Sequence, residues 1–156
     1  MTSTVPAIRR SITVNAPLDR AFHTFTAAFS SWWPPSYHIG EAEYAEAGLE
    51  PRVGGRWYER GADGSECEWG SVLEWEPPHR LVLGWQINGR WEYEPDPANA
   101  SEIEVRFTAE GDGRTRVELE HRYLDRLADS QALAGAVGED TGWNGILRAF
   151  AGVAEH

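Results

Sequence analysis

Lysine is absent from this 156-residue chain: all 14 basic residues are arginine, set against 25 acidic residues for a net charge of −11. A molecule this acidic repels phosphate backbones and anionic headgroups, which argues against a nucleic-acid or membrane-surface partner. Cysteine occurs once, at Cys67, so neither an internal disulfide nor a cysteine metal site can form. No apolar run approaches the roughly 18 residues of a membrane-spanning helix, so no membrane insertion is expected. The first ten residues lack the charged-then-apolar order of a secretory signal, and a cytoplasmic location is expected. Also missing are a Gly-x-Ser-x-Gly elbow, a His-Glu-x-x-His pair, a Cys-x-x-Cys pair and a phosphate loop. Standard hydrolase, zinc and nucleotide chemistry therefore find no support, and no cofactor or metal is expected.

What the chain has in excess is aromatic surface. Eight Trp, five Tyr and five Phe make 12% of the residues. Apolar residues and glycine together number 75, an ordinary globular share, and the length suits one domain over residues 1–156. Core packing accounts for some of the indoles. Eight are hard to hide in so small a core, so one or two are expected to line a cavity or an interface.

Hydrophobic periodicity orders the chain. Ile8, Ile12 and Val14 alternate with Arg9, Ser11 and Thr13 as a first strand. Leu18, Ala21, Phe22, Phe25 and Phe29 recur at helical spacing, predicting a helix from about Pro17 to Phe29 that ends before Pro34-Pro35. Strands are then predicted at 39–46, 53–60, 66–76, 80–87, 101–109 and 114–123, separated by glycine, proline and Asn-Gly turns. Ile103, Val105 and Phe107 oppose Glu102, Glu104 and Arg106, while Val117, Leu119 and His121 oppose Arg116, Glu118 and Glu120. One apolar and one charged face, with short connections, describe an antiparallel sheet covered on one side. Residues 125–140 are a short helix or a loop. Trp143, Ile146, Leu147, Phe150 and Val153 then share one face of a C-terminal helix. The fold class is α+β: a curved antiparallel sheet of about seven strands wrapped around a long C-terminal helix, with short helices after the first strand.

This order resembles the helix-grip fold of the START/Bet v1-like superfamily. More closely it resembles the bacterial branch similar to the C-terminal domain of the activator of Hsp90 ATPase. The matching pieces are Ile12-Thr-Val-Asn-Ala-Pro, Phe29-Ser-Ser-Trp-Trp-Pro, Gly54-Gly-Arg-Trp-Tyr-Glu, Glu74-Trp-Glu-Pro-Pro-His-Arg-Leu-Val-Leu-Gly-Trp, Thr115-Arg-Val-Glu-Leu-Glu-His and Gly142-Trp143. The Trp-Trp-Pro, Gly-Gly-Arg-Trp-Tyr-Glu and Gly-Trp set is also similar to the self-sacrifice proteins that protect an enediyne producer from its own antibiotic. The resemblance implies a hydrophobic cavity between sheet and helix. It implies no single activity, because this superfold hosts binders, cyclases and hydrolases alike.

The candidate ligand-binding residues are Trp33, Trp57, Trp69, Leu83, Trp85, Phe107, Leu119, His121, Trp143, Leu147 and Phe150. For each Trp, core packing and ligand contact are both open. His121 is either a hydrogen-bonded core histidine or a polar contact that orients a ligand. Glu59, on the strand face of Trp57, is either a solvated edge carboxylate or a carboxylate in the same cavity. Cys67 lies between Glu66 and Glu68, whose charge raises a thiol pKa, so it is not expected to be a nucleophile. Gly111 and Gly113 read as a hairpin turn and, in the enediyne reading, as backbone sites where a ligand-derived radical could abstract hydrogen. The leading function is non-catalytic binding or sequestration of a lipophilic aromatic small molecule, including polyketide or enediyne self-resistance. The alternatives are a cyclase or dehydratase in the same cavity, and a co-chaperone-like interaction module.

Overall fold

The computed structural model describes residues 6–34, 39 and 42–155. Its centre is a sheet of seven strands: β1 (Ile8–Val14), β2 (Tyr44–Leu49), β3 (Arg56–Gly61), β4 (Glu66–Glu76), β5 (Arg80–Trp85), β6 (Ser101–Ala109) and β7 (Thr115–Arg122). The spatial order is β1-β7-β6-β5-β4-β3-β2, with every neighbouring pair antiparallel. Register shifts at Tyr44/Glu46, Trp57/Tyr58 and Val72/Glu74 mark bulges, which bend strands and give the sheet its curl. The helices are α1 (Leu18–Phe25), α2 (Ser130–Gly138) and α3 (Gly145–Ala154). The fold is the expected α+β helix-grip arrangement.

Boundaries differ from expectation where local chemistry intervenes. Helix α1 stops at Phe25 because Thr26 turns its hydroxyl back onto the Phe22 carbonyl at 2.7 Å. Phe29 reaches the core from a separate single turn, Phe29–Ser31. Strand β2 begins at Tyr44 rather than residue 39, and residues 40–41 of the expected strand lie outside the described residues. The C-terminal helical stretch is divided at Gly142 (φ −77°, ψ −126°), where a Cβ would stand 2.2 Å from the Val137 carbonyl oxygen. Glycine permits that close approach, and the kink turns Trp143 in under the sheet.

The two sheet faces follow the alternation. Phe22 and Phe25 of α1 meet Phe107 of β6 edge-on at 5.1 and 5.6 Å, and Phe150 of α3 meets Phe25 at 5.3 Å. On the outer face, Glu104 accepts hydrogen bonds from Arg80, Arg106 and Arg122 at 2.5, 3.0 and 2.9 Å. Burial alone would raise its pKa, but the three guanidiniums outweigh it and hold the carboxyl down at about 2. Replacing Glu104 by Gln leaves three cations around a neutral amide. At pH 7 the variant is expected to lose about 2 kcal/mol of stability in a urea titration. The difference from wild type should narrow as pH falls below the ordinary carboxylate range and vanish near pH 2, where the native carboxyl takes up its proton.

Candidate functional site

At the Trp85 end of the inner face, alternation turns Trp57, Gly70 and Trp85 inward, and the β3–β4 bulge brings in the adjacent Trp69. Trp57 and Trp85 are both in register with Gly70, one from each neighbouring strand, so a residue without a side chain separates two indoles. Their rings approach to 5.6 Å, with Trp69 completing the triangle at 5.7 Å from Trp57 and 5.2 Å from Trp85. Trp33 joins at 5.8 Å from Trp57 and 5.6 Å from Trp69, Trp32 at 6.0 Å from Trp33, and Trp143 at 5.9 Å from Trp85. Trp91 stands 6.4 Å from both Trp69 and Trp85. Seven of the eight tryptophans thus form one connected cluster.

These spacings show that the rings of the cluster touch one another. Centroids 5.2–6.4 Å apart are direct ring contacts, leaving no slot for another ring between them. Trp33, Trp57, Trp69, Trp85 and Trp143 are all buried, as are Leu83, Phe107, Leu119, Leu147 and Phe150. Three concavities open to solvent are lined by other described residues. One of about 490 Å³ runs over the charged outer face, and one of about 370 Å³ sits by Leu18 and Phe107. The third, about 650 Å³, is a groove lined by Ile39, Arg56, Glu66, Cys67, Glu68, Trp91, Glu92 and Tyr93. Trp91 is therefore the ring shared by groove and cluster.

His121 is fully buried and locked by its partners. The Trp143 indole can only donate, and its Nε1–H points to His121 Nδ1 at 3.1 Å. The imidazole proton then sits on Nε2 and is donated to Ser101 Oγ at 2.8 Å, while the serine hydroxyl donates to the Trp85 carbonyl at 3.3 Å. Burial pushes the His121 pKa down to about 3, so the ring is neutral at pH 7. The Ser101–His121 contact has hydrolase-like spacing with the opposite polarity. Histidine donates to the serine and cannot remove its proton, so the pair makes no nucleophile.

Glu59 is a second buried polar group, 2% exposed. It accepts from Trp69 Nε1 at 2.9 Å and from the Ile39 amide at 2.5 Å, so the reading as a solvated edge carboxylate is corrected. Cys67 lies opposite Glu59 in the strand register and lines the groove, half-buried. Gly111 and Gly113 take φ values of +79° and +74° in the β6–β7 turn, which glycine adopts without strain. That turn is at the opposite end of the strand pair from His121. Six residues separate Thr115 from His121, roughly 20 Å at strand rise. Among the described residues, no group of three His, Cys, Asp or Glu could hold a metal ion, and no helix is long and apolar enough to cross a membrane.

Ser101, Trp91 and the groove were not singled out from sequence. Ser101 shares the inward alternation of Ile103, Val105 and Phe107 and could have been found that way. Trp91 sits in a turn with no periodicity to mark it.

Residues 15–155 match the family described as activator of Hsp90 ATPase homolog 1-like protein. The chain belongs to that family. Among solved structures it is similar to the anthrahydroquino-γ-pyrone synthase Txn09, with 42% identity over 98% of this chain and 99% of that one, at a TM-score of 0.69. It is also similar to CalC, a self-sacrificing resistance protein from Micromonospora echinospora, with 35% identity over 96% and 94% of the two chains and a TM-score of 0.64. CalU16 from the same organism shares the fold, at 24% identity over 99% and 81% and a TM-score of 0.60. No curated protein sequence matches. The family and these relatives support a ligand-binding role for the fold.

Proposed function

We propose that this family member binds a planar, polycyclic aromatic small molecule of polyketide type, stacked on Trp91 and the indoles behind it, and holds it without transforming it. The observation that carries the reading is the connected cluster of seven tryptophans, in which one half-buried ring, Trp91, also lines a groove open to solvent. Flat rings bury large area against indoles, and drug-sized ligands occupy largely apolar concavities of this volume with a few placed polar groups. The absence of transformation is argued from His121, whose one N–H is committed to Ser101, whose other nitrogen accepts from Trp143, and which is neutral at pH 7 and so carries no acidic proton.

A second reading, a cyclase-type enzyme, is favoured by one specific observation: the buried Glu59 carboxylate behind the groove wall at Ile39, in a chain 42% identical to a synthase.

Titration with a neutral hydroxyanthraquinone is expected to quench tryptophan emission to saturation. Trp91→Ala, at a half-buried position the fold can lose, is expected to weaken binding by about 1–2 kcal/mol. Quenching with the same midpoint in Trp91→Ala and Trp143→Phe would place the ligand elsewhere and remove this reading. Under the second reading, Glu59→Gln would abolish turnover of a polyketide precursor with affinity retained.

A further inference from the structure

The groove beside Trp91 differs in chemistry from the tryptophan cluster behind it. Its wall from Asn88 to Tyr93 is a tight, cross-braced turn. The Asn88 side-chain carbonyl accepts from the amides of Arg90 and Glu92 at 2.9 and 3.1 Å, and the Gly89 amide donates to the Ala128 carbonyl at 2.8 Å. These bonds hold Trp91 at φ 61°, a region bulky residues occupy only when their surroundings impose it. The Tyr93 hydroxyl accepts from Gln86 Nε2 and donates to Glu68 Oε2, each at 3.3 Å, tying the turn to β4 across the groove. An indole and a phenol are thus presented on a braced frame.

Around these rings the charge is one-sided. Glu66, Glu68 and Glu92 line the groove against a single cation, Arg56. The Arg56 guanidinium is bonded to Glu66 at 3.1 Å and to Glu50 at 3.3 Å, and Arg60 bonds Glu66 at 2.9 Å. Arg56 and Glu66 are thus offset by their partners, and the excess negative charge of the groove rests on Glu68 and Glu92. Glu92 lies 3.4 Å from Arg90, which is closer to Asp129 at 2.8 Å. Glu68 lines the groove and, among the described residues, takes a hydrogen bond from the Tyr93 hydroxyl alone. On a molecule of net charge −11 the groove is therefore a negative concavity with aromatic walls. Such a concavity attracts a cation twice over, through the carboxylates and through the negative ring faces.

We propose that this groove is a binding site for a protonated amine borne by a planar aromatic ligand, its rings against Trp91 and its ammonium between Glu68 and Glu92. The inference rests on the proposed function and deepens it by naming the charge of the ligand.

Two anthraquinones with the same ring test it, one carrying an aminopropyl arm and the other a hydroxypropyl arm. At pH 7.5 and low salt, the aminopropyl probe is expected to bind about tenfold more tightly. Raising the salt to about 0.5 M should erode that advantage, since exposed charges are screened. The double variant Glu68→Gln/Glu92→Gln is expected to shrink the advantage to less than about twofold, by weakening the aminopropyl probe far more than the hydroxypropyl one. Equal affinity of the two probes for the wild-type protein would overturn the amine site and leave aromatic binding standing. So would an amine advantage that survives the double substitution. Failure of both probes to bind would remove the proposed function and this inference together.

Discussion

Acidification from pH 6.5 to pH 4 is expected to cost the folded state about 3 kcal/mol through His121 alone. The imidazole is fully buried, and its folded pKa is held near 3 against 6.5 for a free histidine, with burial as the cause. Below pH 6.5 the unfolded chain takes up a proton that the folded chain refuses, so stability falls with pH and keeps falling until about pH 3. The slope approaches about 1.4 kcal/mol per pH unit in that window. The geometry sharpens the penalty: a proton on Nδ1 would meet the Trp143 N–H head-on at 3.1 Å. His121→Gln can accept from Trp143 and donate to Ser101 without titrating. Urea titrations at pH 7, 6, 5 and 4, followed by tryptophan emission, should show the slope above about pH 4.5 in the wild type and not in the variant. Equal slopes in the two proteins would mean that His121 is not the neutral, enclosed group described. Below that range Glu104 and other carboxylates add their own losses, in the same direction.

The second large effect is expected at Trp85. Its ring contacts Trp57, Trp69, Trp91, Trp143 and the His121 imidazole at 5.6, 5.2, 6.4, 5.9 and 5.1 Å, and its Nε1–H donates to the Ile87 carbonyl at 2.7 Å. Trp85→Ala removes a buried indole from the centre of the cluster and leaves the Ile87 carbonyl without that donor. The expected loss is about 3–5 kcal/mol, a large fraction of the roughly 5–15 kcal/mol that stabilises a domain. The void left is indole-shaped and lined by rings, so free indole added to the variant should raise its melting temperature in a concentration-dependent way. Wild type offers no such void and should respond far less. A loss under about 1 kcal/mol would show that the surrounding rings close over the gap, in conflict with their close-packed contacts.

The strands and their faces were legible because alternation is a local property. Ile103, Val105 and Phe107 have to share a side whatever the rest of the chain does, and the outward Glu104 and Arg106 follow from the same rule. Helix α3 was legible from the spacing of Ile146, Leu147 and Phe150, and the antiparallel order from the short connections. The motif resemblance added the helix-grip topology. Residue counts do not say whether rings surround a space or occupy it, and the structure packs six of the eight tryptophans into the core.

Residue type and spacing by themselves determined most elements, the sheet face of side chains away from the bulges and the abundance of indole surface, since each depends only on neighbours along the chain. Only the tertiary structure decided that seven indoles touch, because that requires distances between strands 57, 69 and 85 and a helix kinked at Gly142. It alone decided the tautomer of His121, which is set by a donor 22 residues away on another element. It buried Glu59 by bringing Trp69 and Ile39 over it, and it set the Gly111 turn a strand's length from His121. Trp91, in a turn without periodicity, joined the cluster because the Asn88 loop folds it back onto Trp69 and Trp85. Contacts of that kind are made by the closing of the sheet, and local pattern carries no record of them.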